Sequence, residues 1–83
     1  MNNSFPNFAA QFAAASLSSL VDSFNGQVGL RAWSSARAAH DQALIAELVA
    51  RGIDVSAVND GSTTSFAHKV RLDEASDKFV IAE

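Results

Sequence analysis

The first ionisable side chain in this chain is Asp22. The twenty-one residues before it, MNNSFPNFAAQFAAASLSSLV, hold no acid, base or histidine. Such a stretch must be hidden in lipid, removed by export, or packed against protein. An export signal needs a basic segment ahead of a compact apolar core, and here the first basic side chain is Arg31. A membrane-crossing helix needs about twenty predominantly apolar residues, whereas residues 5–21 include Pro6, Asn7, Gln11 and three serines. The stretch therefore reads as a helix that packs against protein, and no membrane association is expected.

The pattern within the stretch is specific. At about 100° per residue, Phe5, Phe8, Phe12 and Ala15 share one face, and Leu17, Leu20, Val21 and Phe24 share another turned by roughly 130°. One partner surface does not cover both. Either the helix breaks or bends near Ala15 and Ser16, or the two faces meet different partners. The second alternative is the expectation: Leu17, Leu20, Val21 and Phe24 build the chain's own core, and Phe5, Phe8 and Phe12 form an interface with another chain.

Size favours that choice. A chain of 83 residues hides only about 60–65% of its unfolded surface and needs a disulfide, a metal or a second subunit to add stability. Cys is absent, which removes disulfides and thiolate metal sites together. His40 and His68 are too far apart in sequence to form a ligand motif. A homo-oligomer is the remaining route, and the lack of Cys fits a reducing cytoplasm.

Punctuation places the elements. The first helix is expected over 5–24, after a disordered start over 1–4. Ser4 caps it, Pro6 falls in its first turn, and Asn25 followed by Gly26 stops it. A second helix is expected over 34–51, capped by Ser34 or Ser35 and closed by Arg51 and Gly52. The short connection makes the two helices antiparallel neighbours. In the second helix, Ala38, Leu44, Ile45, Leu48 and Val49 make a core arc about 140° wide. Ala36, Ala39, Ala43, Ala46 and Ala50 lie beside it, and Arg37 and Asp41, four residues apart within the arc, form a pair that is either solvent-washed at the domain edge or lines a cleft or interface. His40 is expected on the polar side, near Glu47.

Beyond Gly52 the period becomes two. Strands are expected over 64–72 and 78–82, joined by the turn DEASD; residues 53–58 read either as a third strand or as a short helical turn capped by Asp54. The fold class is thus α+β: two antiparallel helices followed by a small antiparallel sheet, all in one domain.

Chemical motifs are scarce. No G-x-S-x-G elbow, P-loop or dinucleotide fingerprint occurs. Asp73, Glu74 and Asp77 sit at a wet turn tip, where carboxylates bond locally. His68 alternates with Phe66 and Val70 and reads as a packed or edge residue. No catalytic residue, cofactor or metal is assigned. One cluster has ligand-like chemistry: Arg31, Trp33, Ser34, Ser35 and Arg37 gather at a helix N-terminus, a candidate site for a phosphate or carboxylate.

A net charge of −3 disfavours general nucleic-acid binding. Two helices followed by a hairpin carrying Lys69, Arg71 and Lys78 do resemble a winged helix in outline, so a nucleic-acid partner is kept as the alternative. However, the second helix offers alanines where a recognition helix offers polar groups. The reading is a small, non-enzymatic, self-associating interaction protein.

Overall fold

The computed structural model describes residues 7–30 and 34–82. Three helices, α1 (Phe8–Ala14), α2 (Leu17–Gln27) and α3 (Ser35–Ala50), precede two strands, β1 (Val70–Asp73) and β2 (Lys78–Ile81). This is an α+β arrangement with three helices in place of the two expected.

The expected helix over 5–24 is broken between its two apolar faces. Ala15 (φ −84°, ψ 154°) and Ser16 (φ −71°, ψ 159°) are both extended. Ser16 then caps the new start, its Oγ accepting the Ser19 N–H at 3.1 Å. The helix begins at Asn7, whose Oδ1 takes the Ala10 N–H at 3.1 Å; Ser4, the expected cap, lies outside the described residues, as does the segment 1–4 expected to be disordered. At the other end, Asn25 and Gly26 do not stop the chain: α2 runs on to Gln27, and the left-handed glycine is Gly29, at φ 83°.

The expected helix over 34–51 forms with its expected ends. Ser34 Oγ accepts the Arg37 N–H at 3.1 Å, Arg51 is the C-cap, and Gly52 follows at φ 82°, a conformation that costs glycine little. Leu44 and Leu48 are fully buried, but Val49, at the margin of the expected core arc, is 56% exposed.

The sheet is smaller than expected. β1 and β2 pair antiparallel, Val70 opposite Ile81 and Leu72 opposite Phe79. Residues 64–69 do not extend β1; they carry one isolated antiparallel bridge, between Asn59 and Thr64. The possible third strand over 53–58 is instead a turn-containing segment touching β2 through a parallel bridge from Asp54 to Lys78. Asp54 O accepts the Phe79 N–H at 2.9 Å, and Asp54 N–H donates to Asp77 O at 2.8 Å. Burial of Ile53, Val55 and Val58 holds this segment on the core, and the turn over 56–58 prevents a longer ladder.

The far edge of the sheet is closed by a side chain. Asn25 Nδ2 donates to Val70 O at 2.9 Å while its Oδ1 accepts the Val70 N–H at 2.8 Å. One amide thus stands in for a neighbouring strand and ties α2 to β1. The core beneath is aromatic: the Phe24 ring lies 4.7 Å from Phe66 and 5.5 Å from Phe79, edge-on to the latter. Leu20, Phe24, Leu44 and Leu48 have no exposed surface, so the second apolar face of the expected long helix does build the core.

Candidate functional site

The chemistry-bearing side chains collect where α1, the end of α2 and the first half of α3 meet. Phe8 and Phe12 project from α1 onto α3, with ring centroids 6.4 Å apart. The His40 ring stands edge-on to both, 5.1 Å from each centroid. Phe12 is buried and Phe8 half-buried. The described part of the phenylalanine stripe is therefore covered within its own chain, while Phe5 lies outside the described residues. Only α1 could reach α3 this way, because the break at Ala15 and Ser16 lets the two apolar faces meet one core from different directions.

His40 corrects the sequence reading. It is not a surface residue near Glu47 but the post against which α1 leans. The signal was present: His40 is only about 40° around the helix from Leu44. Its Nδ1 lies 2.9 Å from Asp41 Oδ1. Asp41 is the one buried charged residue among those described, 5% exposed, and its Oδ2 has no hydrogen-bond partner there. That oxygen faces Arg37 Nε at 3.5 Å, with the two side chains 12% and 6% exposed. The pair expected to be either solvent-washed or lining a cleft or interface is thus a sheltered one, whose members each lose much if the other is removed.

Arg37 is committed to α2. Its Nε donates to Gln27 Oε1 at 2.7 Å, its Nη2 to Gln27 O at 3.1 Å and its Nη1 to Leu30 O at 3.4 Å. The guanidinium also lies 5.6 Å from the Phe66 ring centroid. It adds donors to Gln27 O, which also accepts the Leu30 N–H at 3.2 Å, and to Leu30 O beyond the end of α2, a place where a cation is favoured. Ser34 and Ser35 stand at the start of α3 as expected, with Ser34 used as the cap; Arg31 and Trp33 lie outside the described residues. The expected anion site therefore has one arginine directed to α2 carbonyls and one hydroxyl already accepting a backbone N–H.

Arg51 does a second piece of long-range work that the sequence did not reveal. Its Nη2 donates to Phe12 O at 2.9 Å and Ala15 O at 2.7 Å, while its Nε meets Glu47 Oε2 at 2.7 Å. A residue that punctuates α3 in sequence thus caps α1 in space. Nothing local in the sequence distinguishes these roles.

A cleft of about 630 Å³ opens between α3 and residues 59–66, lined by Asp41, Ile45, Ala46, Thr63, Thr64 and Phe66 among others. Its outer wall is built by local bonds. Asn59 Nδ2 donates to Thr64 Oγ1 at 2.7 Å, and Asp60 Oδ1 accepts the N–H groups of Thr63 at 2.8 Å and Ser62 at 2.9 Å. Those backbone bonds hold the Asp60 carboxyl below its ordinary pKa. In the hairpin turn, the Ser76 hydroxyl does the same for Asp73, bonding its Oδ2 at 2.8 Å. His68, expected packed or at an edge within a strand, is exposed in a bend ahead of β1. No helix among the described residues is long and apolar enough to cross a membrane. No family model, curated protein or solved structure matches the chain.

Proposed function

We propose that this chain is a small non-enzymatic protein that acts by contact with another protein, a second copy of itself first, with α1 as the contact element. The observation that carries the reading is the mounting of α1. Its seven residues hold no charge, its phenylalanines contribute to a core they reach only across an extended break, and Phe8 is left half-buried at the margin. Full burial of each ring stabilises by about 1.5–3 kcal/mol, a large share of what so short a chain accumulates. The lack of Cys is compatible with the reducing cytoplasm in which this reading sets the protein.

Charge placement supports protein over nucleic acid. Arg37 and Arg51 are turned inward onto carbonyls, and Lys78 lies near the Asp54 and Asp73 carboxylates. Lys69 and Arg71 stay exposed on or beside β1, so the hairpin keeps a small basic surface, and it is the net charge of −3 that disfavours a phosphate backbone as partner.

Light scattering across a wide range of protein concentration tests the proposal. The expected result is a mass that rises from one chain towards two. A single-chain mass at every concentration would overturn it, and salt-sensitive binding to random duplex DNA would favour the nucleic-acid alternative.

A further inference from the structure

We infer that α1 is exchangeable: in the self-associated form each chain seats its α1 on the partner subunit's α3, and the break at Ala15 and Ser16 straightens into continuous helix. This rests on the self-association proposed above and names its geometry.

Three observations converge on it. The α3 face that receives α1 is complementary to Phe8 and Phe12, with His40 edge-on to both rings at 5.1 Å. A second copy offers the same face, so every ring contact of the closed chain can be re-formed between chains. The hinge is two residues long and extended, and α1 packs on α3, while α2 reaches both α3 and β1. Finally, α1 and the hinge are rich in alanine, FAAQFAAAS, the strongest helix former of all, while Ser16, Ser18 and Ser19 favour the capped break.

The closed form is held by two devices that straightening displaces. Ser16 Oγ caps α2 by accepting the Ser19 N–H at 3.1 Å; in a continuous helix that N–H bonds to Ala15 O instead. The Arg51 guanidinium holds Phe12 O and Ala15 O at 2.9 and 2.7 Å, carbonyls that a continuous helix satisfies with its own N–H groups. The balance between the forms lies in these bonds and in the concentration of chains.

Ser16→Pro tests this: it removes the Ser16 Oγ cap on α2 but bars the continuous helix more strongly. At φ −71° Ser16 already has the angle proline imposes, and Ala15 before it is extended, as a residue preceding proline prefers. In a continuous helix the same proline clashes with Phe12 O and removes a bond. The variant is expected to have single-chain mass by light scattering at concentrations where the natural sequence forms dimers; a dimer of undiminished affinity would overturn the exchange while leaving self-association standing. Should the variant fail to fold, mixed samples of differently isotope-labelled natural chains decide by nuclear Overhauser effects between chains. Cross-peaks from Phe12 of one chain to His40 of the other support the exchange, and a dimer showing only intrachain cross-peaks overturns it. A natural chain that stays single at all concentrations overturns both proposals.

Discussion

At the scale of single residues, the fold is fastened by side chains that substitute for backbone. Asn25 is the clearest case, since its amide both donates to and accepts from Val70. Asn25→Asp keeps the acceptor and turns the donor into an oxygen facing the Val70 carbonyl. It should cost about 1–3 kcal/mol in urea unfolding at neutral pH. Protonation restores a donor, so the folded state raises the pKa of the introduced carboxyl. The loss should therefore shrink at low pH and grow as the pH rises through that pKa. Arg51→Met should cost about 1.5–3 kcal/mol, the worth of hydrogen bonds to a charged group, with amide exchange in α1 speeding up before that in α3. The natural aspartates give the opposite pH sign to the introduced one. Asp54, held down by Ser56, Asp60, held down by the Thr63 and Ser62 N–H groups, and Asp73, held down by Ser76, have depressed folded values. Their contribution is complete above the ordinary 3.8 and is lost as pH falls through the depressed values. Urea midpoints should drop in that acid window, and less so for Asp73→Asn.

Among the elements, what can be read from sequence follows the range of the forces involved. The ends of α3 were legible because Ser34, Arg51 and Gly52 act on their own turn of helix. The two apolar faces of the N-terminal stretch were legible as faces, and the break between them as one of two alternatives. The choice depended on whether α3 could cover Phe8 and Phe12, and that rests on His40, a residue whose polarity disguised a packed position. The loss of a third strand was legible only as one of two alternatives, the other being a short turn capped by Asp54, whose Oδ1 accepts the Ser56 N–H at 2.8 Å. Residues 53–58 alternate like a strand, yet only Asp54 meets β2, because the turn over 56–58 carries Val58 back to the core. A direct check is Phe12→Ala, expected to cost about 3–5 kcal/mol, the range for emptying a buried aromatic site. Phe8→Ala should cost clearly less, since Phe8 is only half-buried. Equal costs in urea unfolding would mean that the α1 face is covered more evenly than the structure shows.

For the whole molecule, Phe8 and Phe12, expected at an interface with another chain, pack on the chain's own α3, and their use between copies is the proposal made above. Of the expected anion site, Arg37 joins α3 to Gln27 at the end of α2 and Ser34 caps α3, while Arg31 and Trp33 lie outside the described residues. Which carbonyls an arginine will reach is decided by chain topology, and topology is not written at the spacing of neighbouring residues. The central claim is that a small core gains stability by sharing α1 between copies. Anything that binds only the folded state makes unfolding depend on its concentration. The most direct measurement is therefore the urea midpoint of the natural chain as a function of protein concentration, with Ser16→Pro beside it. A midpoint that climbs with concentration for the natural chain and stays flat for the proline variant is the expected result. Midpoints that are flat for both, or that climb equally, would contradict the account.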